Sequence, residues 1–428
     1  YIVEKGYMYW LIEDVEQLKV FYNSGYKEAF VEVIPYNNFQ HPIENKVSAI
    51  YIRPLSSSKG YIIASEHSEA IGIKLDHIEA VLKRFDVLYC RDKKEILHYF
   101  PLKSFYDINQ PPNTYIRPTT DTHEIFYSNH RDYTANNVII PIVKHYELCE
   151  QIFNELKDNI GKNTDYGSFF NSRVSLVFNA IERCGLRVHI PRFEGFFHPI
   201  DSERVYTQYN LKTLTTRPSN RFRGVNYAAL NKDNGSRKAF IPRNDEFIEI
   251  DITAYHPTIA SRLVEYQFDD VDVHTSFAKM YNVSRDKAKE LTFKQLYGGI
   301  FKEYEHLEFF KKIKKYIEQK WLEFNTNGYV ECEISKYRFY KDKLDNMNPQ
   351  KLFNYLLQNY ETSQNILIIW DILSMLRGKK SKLVLYTYDS FLIDFCEEEQ
   401  DLVQDIKKIF EKYNLNTTNK QGYDYDFR

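Results

Sequence analysis

Along residues 1–142, apolar and polar positions alternate in short bursts: AFVEVI, VSAIYI, GYIIA and DVLYC are apolar runs of strand length divided by polar turns. DHIEAVLKRF interrupts them with apolar residues at helical spacing. Strands with an intervening helix predict a small α/β unit. From 143 to about 190 the period changes. VKHYELCEQIFNELKDNI and SRVSLVFNAIERCGLRV repeat apolar residues at helical spacing around the polar, glycine-containing GKNTDYGS, which predicts a helical pair. Between 300 and 325, FKEYEHLEFFKKIKKYIEQKWLEF predicts a long charged amphipathic helix, whose KKIKK cluster suits a solvated face or a phosphate contact.

Other segments carry candidate chemistry. EFIEI predicts a strand leading into Asp251, and KLVLYTYDSFLIDF predicts two strands joined by a tight turn at Asp389. Between them RDKAKELTFKQLYG places Arg285, Lys289, Phe293 and Tyr297 four residues apart, so a helix gathers all four on one face. Two cations suit a triphosphate, the rings suit a sugar and base, and Gly298-Gly299 suits the helix end. The alternative is an ordinary amphipathic helix with both rings inward. The flanking carboxylate segments favour the first reading.

The order of a strand-end Asp, an Arg/Lys/Phe/Tyr-Gly helix and a hairpin Asp resembles family A DNA polymerases, the DNA polymerase I superfamily. DITAYHPTIASRL resembles that family's first palm motif, RDKAKELTFKQLYG its fingers helix, and TYDSFLID the hairpin that usually reads His-Asp-Glu. VYTQYNLKTLTTRPSN, SRKAF, DVHTSFA, NGYVECEISKYRF and NYLLQNYETSQNI are similar to intervening segments in the same order, covering about half of the chain. The resemblance implies an α+β, α/β multidomain chain with a right-hand polymerase: palm in 216–265 and 346–428, fingers in 266–345, and a short or rearranged helical thumb in 143–215. It also implies that residues 1–142 form an RNase H-like, 3′–5′ exonuclease-type domain. There AFVEVIPYNNF and YCRDKKEILHYF lie where the family places metal-binding acids, but only Glu32 is kept, and Lys93 or Lys94 falls near the second acid with Asp92 beside it. An ammonium in a two-metal cage repels the cations, so this domain is expected to be catalytically silent.

The same resemblance implies roles residue by residue. Asp251, Asp389 and the Ile252 carbonyl would hold two Mg²⁺ ions, with Mn²⁺ as a substitute. Arg285, Lys289 and His274 would bind the β and γ phosphates, and Lys289 would protonate the leaving pyrophosphate. Phe293 would pack on the incoming nucleotide and Tyr297 beside the templating base, while Arg217, Asn354 and Gln358 would read the minor groove. Three positions depart from the family. His256 stands where a Glu helps exclude the ribose 2′-hydroxyl, Tyr388 replaces the hairpin His that contacts the primer terminus, and Ser390 replaces an accessory Glu. His256 is expected to crowd that hydroxyl instead.

At 428 residues the chain has room for two or three domains. With 57 basic against 59 acidic residues, its net charge of −2 gives DNA binding no independent support. The 35 tyrosines and 30 phenylalanines offer stacking platforms as well as core. Five isolated cysteines, without a CxxC pair, fit a reducing compartment. No apolar run approaches the roughly 20 residues that span a bilayer, and no signal-peptide pattern opens the chain. The expected protein is therefore cytoplasmic, in a bacterial host if phage-encoded, and not a membrane protein. Its expected partners are primer-template DNA, dNTPs and a processivity factor or other replisome proteins. An RNA polymerase or primase-like nucleotidyltransferase of the same palm type, and a non-catalytic DNA-binding relative, stay open as alternatives.

Overall fold

A computed structural model describes residues 2–4, 7–36, 40–112, 141–220 and 224–428; the end of the AFVEVIPYNNF segment, 37–39, lies outside them. The chain divides into two compact units, Tyr1–Asn179 and Ala180–Arg428.

In the first unit, strands β1 (Ile2–Glu4), β2 (Tyr7–Ile12), β3 (Glu28–Pro35), β4 (Val47–Pro54), β5 (Tyr61–Ala64), β6 (Val87–Cys90) and β7 (Phe105–Asp107) form one mixed sheet in the order β1-β2-β5-β4-β3-β6-β7. The two-residue side-chain period explains why β3 reads as a nearly unbroken apolar run. Ala29, Val31 and Val33 enter one core together with residues of α1 (Val15–Tyr22), α2 (Leu75–Leu82) and α3 (Lys93–Tyr99). Phe30 and Ile34 face the other way, into a second core shared with α4 (Ile142–Leu156). Helix α4 opens the segment that sequence assigns to a thumb in 143–215, yet Ile142, Val143, Tyr146, Cys149, Ile152, Phe153 and Leu156 bury into the first unit. Two further helices, α1 and α3, form in segments where sequence assigns no helix.

The second unit is built on an antiparallel sheet. Strands β8 (Glu246–Ile252), β9 (Lys382–Thr387), β10 (Ser390–Phe395) and β11 (Thr417–Gly422) pair in the order β9-β10-β8-β11. Phe247, Val384, Leu385 and Leu392 anchor the sheet in its core with Phe193 and Phe240. Helices α5 (Tyr255–Leu263), α6 (Val273–Tyr281), α7 (Arg285–Gly298), α8 (Glu308–Asn327) and α9 (Pro349–Met375) lie between β8 and β9 in sequence, and α10 (Leu402–Lys412) precedes β11. The long charged helix begins only at Glu308, because 300–307 forms loop and a short 3₁₀ turn. Helix α9 starts cleanly: the Asn348 side chain accepts from the Lys351 N–H at 2.8 Å and Pro349 occupies the first turn. Its segment from Glu361 to Ile366 is buried on every side, so polar residues there must find partners inside the fold.

Candidate active site

The register of β8 against β10 sets Asp251 opposite Ser390, and the Ile252 N–H donates to the Asp389 carbonyl at 2.8 Å. Two acids that are 138 positions apart by number (389 − 251) thus occupy one end of one sheet. Asp389 stands at the tip of a two-residue turn between Thr387 and Ser390, with Tyr388 before it at φ 66°. A positive φ costs a non-glycine residue on the order of 1–2 kcal/mol, so the turn must be held. Asn365 Nδ2 donates to the Tyr388 carbonyl at 2.6 Å, and the Arg217 guanidinium lies 3.7 Å over the Tyr388 ring.

Burial and neighbouring charge both act on the acids of this strand end. Asp389 opens to solvent at the turn, but the protein crowded around its carboxyl pushes its pKa up, and the charges of Glu361 and Asp251 add to that; Arg217 opposes them. On the neighbouring face the Lys420 ammonium is drawn between Glu249 Oε1 at 3.0 Å and Asp251 Oδ2 at 3.2 Å. The Asp251 and Asp389 carboxylates are oxygen donors of the kind that suits Mg²⁺ or Mn²⁺, and a divalent ion would bind Asp251 in exchange for the half-exposed Lys420 ammonium, which is not enclosed as Arg91 is in the first unit.

Helix α7 runs from Arg285 to Gly298, capped by the Ser284 side chain, and Gly299 leaves it at φ +108°, a conformation that glycine tolerates. Ala288, Thr292, Gln295 and Leu296 form its buried side. Arg285, Lys289 and Tyr297 are therefore exposed and Phe293 half-buried, with the Phe293 and Tyr297 rings stacked at 5.9 Å. The rings do not turn inward as an ordinary amphipathic helix would require. Among the described residues Lys289 has no acidic partner, whereas Arg285 is held in a fork by Asp272 at 2.7 and 3.1 Å. That guanidinium keeps the Asp272 carboxyl well below the usual range. His274 is buried beside Phe293, ring to ring at 6.0 Å.

Burial, then the Arg285 and Lys289 charges, lower the His274 pKa against the opposing pull of Asp272. The unfolded chain takes up a proton near the ordinary value of about 6.5 and the folded chain only below it. This ring's contribution to stability is thus complete above about 6.5 and is lost as pH falls through the depressed folded value. Thermal melts between pH 7 and pH 5 should fall less steeply for His274→Gln than for the wild type; equal slopes would show that the ring does not titrate in this way.

His256 links the two halves of the site. Its Nδ1 lies 2.6 Å from the Tyr297 hydroxyl and its Nε2 lies 3.3 Å from Glu361 Oε2. Asn354 Nδ2 donates to the Tyr297 carbonyl at 3.0 Å, and Gln358 Oε1 accepts from Thr215 Oγ1 at 3.0 Å. His274, Phe293, Tyr297, Asn354 and His256 are thus linked by contact, and Glu361 extends the chain to Arg217 and Tyr388; all lie in the second unit. The Phe293 ring stacks on Tyr297, whose ring meets that of His256 at 5.6 Å. Sequence reasoning misses Glu361, Lys420 and Asp272. The available signal is positional: Glu361 follows Asn354 and Gln358 by seven and three residues on one helix, and Asp272 caps α6 by accepting from Thr275.

This is the fold of a polymerase domain. It matches the solved POL domain of Pol1 from M. smegmatis, in complex with DNA primer-template and dNTP, with a TM-score of 0.71 and 13% identity over 97% of this chain and 99% of that one. No family model matches the sequence, and no curated protein does.

Proposed function

We propose that this chain is a template-directed DNA polymerase of the family A type that extends a primer 3′ end with dNTPs. The observation that carries the reading is the meeting of Asp251 and Asp389 at one sheet end, within a constellation that reaches Tyr297 and the outward row of α7. In this reading the palm takes 216–265 and 346–428, the fingers 266–345 and a short thumb lies within 143–215. Primer-template and dNTP, the ligands of the M. smegmatis structure, are its substrates. Its altered motif positions suit replication of a phage or mobile element.

Asp251, Asp389 and the Ile252 carbonyl would hold the divalent ions, which supply a lowered hydroxyl pKa and charge neutralisation when bound. Lys289, free of acidic partners among the described residues, binds the triphosphate and donates a proton to departing pyrophosphate. Arg285 exchanges Asp272 for phosphate oxygens. Phe293 and Tyr297 present flat faces to the nucleotide, and Arg217, Asn354 and Gln358 border the nascent pair. The test is primer extension on a short overhang with each nucleotide class and each metal supplied separately; no extension with any of them overturns the reading.

The first unit, on this proposal, does not proofread. Glu32 is buried and takes the Arg91 guanidinium at 3.0 and 2.6 Å, Asp107 accepts the Lys93 and Asn109 N–H groups, and Asp92 caps α3. A guanidinium within the acid cluster does not fit a two-metal cage. Sequence points to Lys93 or Lys94 as the intruding charge; in the fold Arg91 fills that place, and Lys93 Nζ turns away to the Asn171 carbonyl at 2.9 Å. Labelled single-stranded DNA should stay intact with Mg²⁺ and no nucleotides. Stepwise 3′ shortening that Glu32→Ala abolishes would refute this.

A further inference from the structure

Glu361 carries a charge that the mechanism above does not use. Its side chain is 3% exposed on α9, yet its Oε2 lies 3.3 Å from His256 Nε2 and 3.2 Å from Arg217 Nε. None of these three buried atoms makes an aligned hydrogen bond among the described residues. A buried carboxylate in such a place is costly unless its partners justify it. Those partners are specific: His256 follows Asp251 by five positions, and Arg217 covers the ring of Tyr388, which precedes Asp389. One carboxylate oxygen therefore lies against both His256, five positions after Asp251, and Arg217, which covers the ring that precedes Asp389.

We propose that Glu361 is the positioning residue for sugar selection; the inference rests on the polymerase reading. An ionised carboxylate only accepts hydrogen bonds, so in the neutral ring it favours the tautomer with the proton on His256 Nε2. Nδ1 is then the acceptor for the Tyr297 hydroxyl, 2.6 Å away. The ring is thereby hydrogen-bonded at Nδ1 and oriented at Nε2 by the charge of the carboxylate, its plane set against the end of α7. The oxygen shared with Arg217 ties this ring to the residue that borders the primer-template. Sugar exclusion and duplex engagement thus meet on one side chain.

Glu361→Gln preserves the volume and removes the charge that sets the tautomer, so the fold is retained while the ring loses its fixed orientation. Single-turnover incorporation of matched dNTP and rNTP should show the dNTP preference falling on the order of tenfold, below the hundredfold that a 1 Å misplacement can cost. In a His256→Ala background the same substitution should change the preference no further, because both act through one ring. An unchanged preference in Glu361→Gln, or an equal effect in both backgrounds, overturns the proposal and leaves Glu361 a packing residue. These results differ from failure of the underlying reading. If the wild-type chain extends no primer with either sugar, both fall together; if it discriminates normally and only the Glu361 results fail, this inference alone falls.

Discussion

Alanine at Asp251 or Asp389 should lower primer extension by roughly three orders of magnitude or more while leaving primer-template binding nearly intact. The geometry separates these effects. Both acids sit at the end of the β8-β10 pair, held by backbone hydrogen bonds that do not depend on their side chains. Removing one carboxylate therefore removes charge without moving a strand. That charge stabilises chiefly the transition state, so the loss appears in the rate of nucleotide addition rather than in affinity for DNA. Asp389 already lies above the ordinary carboxylate pKa because of crowding and the nearby Glu361 and Asp251 charges. Single-turnover extension and a DNA mobility shift, measured side by side, check both halves. Near-normal extension by either variant would remove these residues from the metal site.

His256→Ala should raise ribonucleotide incorporation more than it lowers deoxynucleotide incorporation, relaxing the preference on the order of a hundredfold. In the proposed reading the imidazole faces C2′, and it is not a loose ring. Tyr297 holds one nitrogen at 2.6 Å and Glu361 stands 3.3 Å from the other. A steric block is only as good as its rigidity, and a buried ring hydrogen-bonded at one nitrogen with a carboxylate beside the other resists swinging aside for a 2′-hydroxyl. The measurement is the ratio of dNTP to rNTP incorporation on one primed template. If the ratio does not move, the block lies elsewhere; neighbouring Tyr255, whose hydroxyl donates to Asn365 Oδ1 at 2.8 Å, becomes the next residue to replace.

Helix α7 is legible in the sequence because its evidence is local: a cap, a four-residue period and a terminal glycine pair, all within one short segment. The strands that carry Asp251 and Asp389 are legible for the same reason. Partner residues are not. Lys420 reaches Asp251 from β11, Glu361 reaches His256 from α9, and Arg91 reaches Glu32 across the parallel pairing of β3 with β6. Each contact joins segments whose proximity is created by folding, and a lone Glu, Lys or Arg in such a segment reads as an ordinary polar position. The thumb shows the converse. The amphipathic pattern of α4 is plain in sequence, but an apolar stripe does not say which core will receive it.

Helix α9 spans 27 residues, a rod of about 40 Å, and Asn354, Gln358, Glu361 and Asn365 recur along it at steps of four, three and four. They meet, in turn, the Tyr297 carbonyl, Thr215, the His256-Arg217 pair and the Tyr388 carbonyl. Because the members are spaced by rotation as well as by rise, one inserted residue between Asn354 and Asn365 would turn everything beyond it by about 100°. The fingers end of the constellation would then lose its phase with the hairpin end, although every side chain was still present. A substitution at one of these positions removes one contact, whereas a change in the length of this stretch of α9 misaligns every contact beyond it at once.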